Sequence, residues 1–267
     1  MAFAQTAARP IVGAVATVGV SDRVAFLRKT YGLLGFALIA FAVGTAAFMR
    51  FATAASLRYT AWFYDYQPDV PHHVPGMWHA MIVGGLFIGV CMVSQRLAHA
   101  ETSRAVQYLG LAGGIVAYSA LLQPVLWGLI TGFGNPAMLS SGVLLSGQAT
   151  AILGQSIVIT LAIFLGLTLT VFVTRKDFSF LRGALMLGVF AMIGVAFASW
   201  MFGFTVGVLY FGAGALLMSG FILYQTSLVM SAFRPTAYVA AALMLFSSVV
   251  TLFLYVLQIV MSVSDRR

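Results

Sequence analysis

The densest group of potential ligands in the chain is Asp65, Asp69, His72, His73 and His79, which brings carboxylate and imidazole donors into one short stretch. Such donors bind divalent metals when they converge on one point. Their spacing fits no established metal motif, however, and Pro68, Pro71 and Pro75 run through it. The stretch reads as a solvated, proline-stiffened loop, and no metal or other cofactor is expected. P-loop, dinucleotide, nucleophile-elbow and zincin patterns are missing too, so no enzyme is expected. The single cysteine, Cys91, lies in an apolar run. There it has no disulfide partner and none of the electropositive surroundings that make a thiol reactive.

The acidic residues are more informative through their placement. All six, Asp22, Asp65, Asp69, Glu101, Asp177 and Asp265, fall outside the long apolar windows. Intramembrane proton relays and cation pathways usually depend on buried Asp, Glu or His, because a charge in hydrocarbon is costly and survives mainly where it works. A proton-coupled pump is therefore not expected. The polar chemistry inside the windows is neutral. Ser248, Thr251, Tyr255, Gln258 and Ser262 recur three and four apart and so share one helix face, predicted to look inward. Ser219, Tyr224, Gln225, Thr226 and Ser227 in one neighbouring window, and Gln148, Gln155, Ser156 and Thr160 in another, would join them in a polar seam. The seam reads first as interhelical hydrogen bonding and second as a permeation or ligand path.

The elements that must position these groups are membrane spans. With 61% apolar and 7% charged residues and a mean hydropathy of +1.02, the chain needs lipid. Apolar windows fall at about 30–49, 77–95, 105–131, 147–173, 181–201, 204–230 and 236–262, each long enough to cross a hydrocarbon layer of about 30 Å. The expected fold is all-α: a polytopic bundle of seven transmembrane helices. Placing the N-terminus in the cytoplasm leaves only Arg50, Arg58, Arg266 and Arg267 of the 14 basic residues outside, as the positive-inside rule requires. The net charge of +8 is thus a matter of topology, and no nucleic-acid partner is expected.

Residues 1–22 read as a cytoplasmic tail and 23–267 as the membrane domain. The long 51–76 loop carries Trp62, Tyr64 and Tyr66, which suit an element lying in the headgroup layer. The uncharged 132–146 loop has turn chemistry in Gly132, Gly134, Asn135 and Pro136. Glycines four apart, Gly85 with Gly89, Gly110 with Gly114, Gly128 with Gly132 and Gly203 with Gly207, are candidates for close helix packing.

Four segments carry a resemblance. GLTLTVFVTRKDFSFLRGAL (Gly166 to Leu185), FLRKTYGLL (Phe26 to Leu34), ILYQTS (Ile222 to Ser227) and ALMLFSSVVTLFLYVLQI (Ala242 to Ile259) together resemble the Bax inhibitor-1/YccA family of seven-span membrane proteins over nearly the whole chain. The resemblance implies a pair of aspartates in the sixth and seventh spans, the family's proposed pH sensor for a calcium leak. Gln225 and Ser248 stand at those positions here, with Thr226, Thr251 and Tyr224 as neighbours. Neither can titrate, although the two can hydrogen-bond each other. Arg175, Lys176 and Asp177 form the family's basic turn between helices, expected to set orientation and meet headgroups.

The expected function is a non-enzymatic membrane interaction or regulatory module. Its partners would be the lipid bilayer and other membrane proteins, either a membrane protease and its scaffold or a larger complex. A passive calcium leak through the polar seam is the alternative. Composition points to a bacterial cytoplasmic membrane, with an organelle membrane as the other possibility.

Overall fold

The computed structural model describes residues 15–17, 19–64, 77–99, 103–133, 147–174, 176–204 and 206–265. Every regular element among them is helical: a 3-10 turn at Val15–Thr17, then α1 (Val20–Phe51), α2 (Thr53–Phe63), α3 (Met77–Ala98), α4 (Arg104–Phe133), α5 (Gln148–Thr174), α6 (Leu181–Phe202), α7 (Val208–Ser231) and α8 (Tyr238–Ser264). Seven of the eight, all but α2, contain a stretch long and apolar enough to cross a bilayer. The seven spans expected from hydropathy are all present; six lie within a few residues of their windows, and α1 begins ten residues before its window, at Val20. Asp65, Asp69, His72 and His73, together with most of the 132–146 loop, lie outside the described residues. The described member of that donor group, His79, packs its ring 4.5 Å from Trp62 of α2.

α8 is the axis of the bundle. Most of its length is buried, and α1, α3, α4, α5 and α7 all pack on it. The run Val239 to Ala242 is fully covered because alanine lets neighbouring backbones come close, which is how helices associate where lipid gives no hydrophobic drive. One turn further along, Phe246 is fully buried and meets Phe41 of α1 and Tyr118 of α4 edge-on, at 5.8 and 5.6 Å. Tyr118 in turn meets Phe87 of α3 at 4.9 Å. Edge-to-face stacking of this kind adds about 0.5–1.5 kcal/mol per pair beyond burial. α6 lies at the rim and packs on α7.

The glycine pairs divide sharply. A Cβ on Gly110 would lie 2.6 Å from the Ser94 carbonyl oxygen, and one on Gly114 would lie 2.6 Å from Leu243 Cδ1, so this pair does bring helices together. Gly85 and Gly89 face open space, as does Gly132, while Gly128 has only the Tyr64 hydroxyl at 3.8 Å. Gly203 and Gly207 are not on a helix face at all: they flank the α6–α7 turn, where Gly203 takes φ 70° and ends α6. Spacing alone cannot tell a packed helix face from a lipid-facing one. The contact that joins α6 to α7 uses unpaired glycines instead, with Leu217 set against Gly188 and Leu185 against Gly220.

Asp22, read from sequence as part of the tail, sits in the first turn of α1, where a carboxylate complements the positive helix terminus. The preceding turn docks on its own chain: the Val15 N–H donates to the Phe233 carbonyl at 2.8 Å, and Val15 is fully buried.

α2 explains the aromatic loop. Its buried face is polar, with Ser56 and Thr60, while Leu57 and Trp62 on the outside are exposed. Ser56 donates to Gln123 Oε1 at 2.7 Å and accepts from Trp127 Nε1–H at 2.7 Å, while Gln123 Nε2 donates to the Thr45 carbonyl at 3.4 Å. Tyr64 donates to the carbonyl of Pro124, a residue inside α4 that has no N–H of its own to give. Burial, and then the neighbouring Tyr59, raise the Tyr64 phenol above its ordinary value, so it remains a donor at neutral pH. Gln123→Leu should strand the Ser56 hydroxyl donor at a cost of about 2 kcal/mol. Thermal unfolding in mild detergent would measure the loss, and faster amide exchange confined to α2 would locate it.

Candidate functional site

The centre of the site is a hydrogen bond between two buried, neutral side chains. Ser248 Oγ of α8 donates to Gln225 Oε1 of α7 at 2.8 Å. Gln225 is 9% exposed and Ser248 5%, so water contributes little to either. Gln225 lies six residues before the end of α7 and Ser248 ten residues after the start of α8, so the bond is buried toward the end of the bundle where α7 turns into α8. The adjacent Thr226 hydroxyl is fully buried and lies beside the Tyr31 phenol of α1. Tyr31 packs edge-on against Phe172 of α5 at 5.5 Å, so α1, α5, α7 and α8 meet around this point.

The wider seam does not extend as one face. Thr251 donates to the Ser247 carbonyl of its own helix and faces Tyr118 of α4 at 3.4 Å, away from Gln225. Gln258 and Ser262 are half-buried, with Ser262 bonded to the Gln258 carbonyl. On α5, Gln148 and Gln155 are exposed. Ser156 and Thr160 are buried but donate to Ile152 and Ser156 carbonyls one turn back. α8 is covered almost all round, so its polar residues are distributed among several neighbours instead of lining one channel. Tyr224 is half-buried, and its carbonyl accepts from the Ser227 hydroxyl at 2.8 Å.

The basic turn is tied to the site, a link that sequence reading missed. Asp177 accepts from the Ser179 N–H at 2.8 Å and from its hydroxyl at 2.9 Å, which folds the turn on itself. The Phe178 N–H then donates to Ser227 Oγ at 3.4 Å, two residues from Gln225. Lys176 is exposed, and Arg175 lies outside the described residues. The order of residues in ILYQTS puts Ser227 on the same turn as Gln225 and was the available hint.

Among the described residues no group of His, Cys, Asp or Glu is placed to hold a metal. The described carboxylates lie at helix ends or in turns: Asp22 at the start of α1, Asp177 before α6 and Asp265 after α8.

Residues 23–265 match the family described as inhibitor of apoptosis-promoting Bax1. The chain belongs to the Bax inhibitor-1 family. Among its relatives it is 24% identical to mouse protein lifeguard 4 over 94% of this chain and 91% of that one. The vaccinia virus Golgi anti-apoptotic protein is 26% identical over 95% of this chain and 91% of its own length. A bacterial relative, an uncharacterized protein of Pseudomonas aeruginosa, is 29% identical over 64% of this chain and 79% of its own. No solved structure matches the chain.

Proposed function

We propose that this Bax inhibitor-1 family member is a non-enzymatic membrane regulator that works through contacts with other membrane proteins, with the family's titrating switch replaced by a fixed, neutral bond. The observation that carries the reading is the Ser248–Gln225 hydrogen bond. A carboxylate pair at these two positions would share a proton and change its charge with pH. A serine and a glutamine keep one charge state throughout, so the bond acts as a tie between α7 and α8 and not as a gate.

The anti-apoptotic relative from vaccinia virus supports a regulatory role, and the bacterial one supports placement in a bacterial cytoplasmic membrane. The N-terminus lies on the cytoplasmic side in this reading, which sets the Lys176–Asp177 turn among the headgroups there. A passive cation leak is disfavoured, because the polar side chains of α8 turn to different neighbours, Ser248 to Gln225 and Thr251 to Tyr118, and line no common path. Extraction from the membrane in mild detergent after brief cross-linking should recover the chain with a second membrane protein in fixed ratio. A chain that runs alone and stable at native abundance, with no partner, contradicts the reading.

A further inference from the structure

Three helices meet at the end of the bundle that carries the N-terminus. α4 starts there at Arg104 and α8 at Tyr238, and α1 passes alongside at the level of Lys29. Side chains from all three form a row across the junction. The Lys29 ammonium lies over the Tyr238 ring, 5.6 Å from its centroid, within the range of a cation–π contact. The Tyr238 hydroxyl faces the Tyr108 hydroxyl of α4 at 3.4 Å. Arg104 precedes Tyr108 by four residues, so the two share a face of α4, and the guanidinium charge reaches that phenol. A cation thus stands at each end of a pair of phenols.

The depth of the row follows from α1. Residues 30–49 carry no charge, and Lys29 and Arg50 at their two ends are separated by about 31 Å at 1.5 Å per residue, which equals the hydrocarbon thickness. Lys29 therefore stands at the edge of the hydrocarbon, and Tyr238 stands with it, where the amphipathic ring of tyrosine is favoured. Lys29, Arg104 and Tyr108 are exposed and Tyr238 is half-buried, so the row opens to the headgroup layer. No acid on these helices neutralises it. α4 and α8 contain none, and the one on α1, Asp22, stands seven residues before Lys29, about 10 Å along the axis. α8 also begins without a side-chain cap, so its positive terminus adds to the same surface.

We propose that this row is a headgroup site for one anionic phospholipid. The lipid phosphate lies between Lys29 and Arg104 and accepts charge-assisted hydrogen bonds from both. Only one of the two phenol protons can serve the contact between Tyr108 and Tyr238, so the other is available to a phosphate oxygen. The two cations favour an anionic headgroup over a choline one, whose own ammonium they repel. The inference rests neither on the Gln225–Ser248 tie nor on the side of the membrane that this end faces.

The test is to titrate the full-length chain in mild detergent with palmitoyl-oleoyl phosphatidylglycerol and, separately, with the phosphatidylcholine of the same tails, counting bound lipid by native mass spectrometry. The phosphatidylglycerol should bind at one site about tenfold more tightly. Lys29→Gln and Arg104→Gln should each weaken it about fivefold with the melting temperature unchanged. Replacing both Tyr108 and Tyr238 by phenylalanine keeps the rings, removes the donors and should weaken it about threefold. Arg50→Gln, at the far end of α1, should leave binding as it is. The proposal fails if the two lipids bind alike, or if the chain carrying both Lys29→Gln and Arg104→Gln binds phosphatidylglycerol as the native one does. It also fails if Arg50→Gln weakens binding as much as either, which would mean attraction to net charge alone. Displacement of the lipid by inorganic phosphate would make the free ion the occupant and overturn the lipid assignment.

Discussion

Replacing Gln225 and Ser248 together by aspartate should make the protein's stability fall by about 3 kcal/mol between mildly acidic and mildly alkaline solution. In the native chain the two side chains meet at 2.8 Å, so carboxyls put in their place would lie within sharing distance of one proton. Losing the second proton would leave two negative charges in contact in a buried site, and the folded pair's second pKa would therefore rise well above the unfolded value of about 3.9. For a carboxyl shifted upward in the fold, the stabilising contribution is complete below the unfolded pKa. It disappears as pH rises through the folded one. Thermal melts of the double variant in detergent should therefore show a falling midpoint over that interval. The native pair, having no proton to lose there, should add no slope of its own. Equal pH profiles for the two proteins would mean that the positions are wet and far apart, against the geometry seen.

The second large effect concerns packing. Gly110→Leu should destabilise the bundle by about 3 kcal/mol or more, because overpacking here cannot be relieved by a side chain moving away. The atoms in the way are backbone, the Ser94 carbonyl oxygen at 2.6 Å and the Ala98 nitrogen at 2.7 Å, so α3 and α4 must separate. Gly85→Ala is the matched control. Nothing lies within 4 Å of its Cβ, and the gain in helix propensity should leave stability unchanged or raised by about 0.5–1 kcal/mol. Melting temperatures of the two variants, measured side by side in one detergent, check both expectations.

These cases show what a sequence of this kind discloses. The spans were legible because a run of about 20 uncharged, apolar residues has few alternatives to crossing a bilayer. The pairing of Gln225 with Ser248 was legible through the family resemblance, which sets both residues at the positions of the family's proposed sensor pair. Which neighbour each polar residue of α8 meets was not legible. Spacing places Ser248 and Thr251 on one helix face, but in a helix buried on nearly every side, neighbours three residues apart can serve different partners. Thr251 turns to Tyr118 while Ser248 turns to Gln225.

Small-residue spacing failed for a related reason. Gly85 with Gly89 and Gly110 with Gly114 have the same pattern, and only the partner helix distinguishes them. The Ser56–Gln123–Trp127 cluster could not be foreseen, since its members lie 67 and 71 residues apart and share no local signature.

The central claim is that the membrane interior of this bundle holds a neutral tie where a proton-sensitive pair would otherwise act. Its most direct test is calcium entry into sealed vesicles that contain the full-length chain and a calcium dye, followed from about pH 5 to about pH 8, the range in which such switches operate. The account predicts a rate no greater than that of protein-free vesicles, and flat across the range. A flux that clearly exceeds the protein-free rate and rises or falls along a single titration, and that Gln225→Leu abolishes, would contradict it.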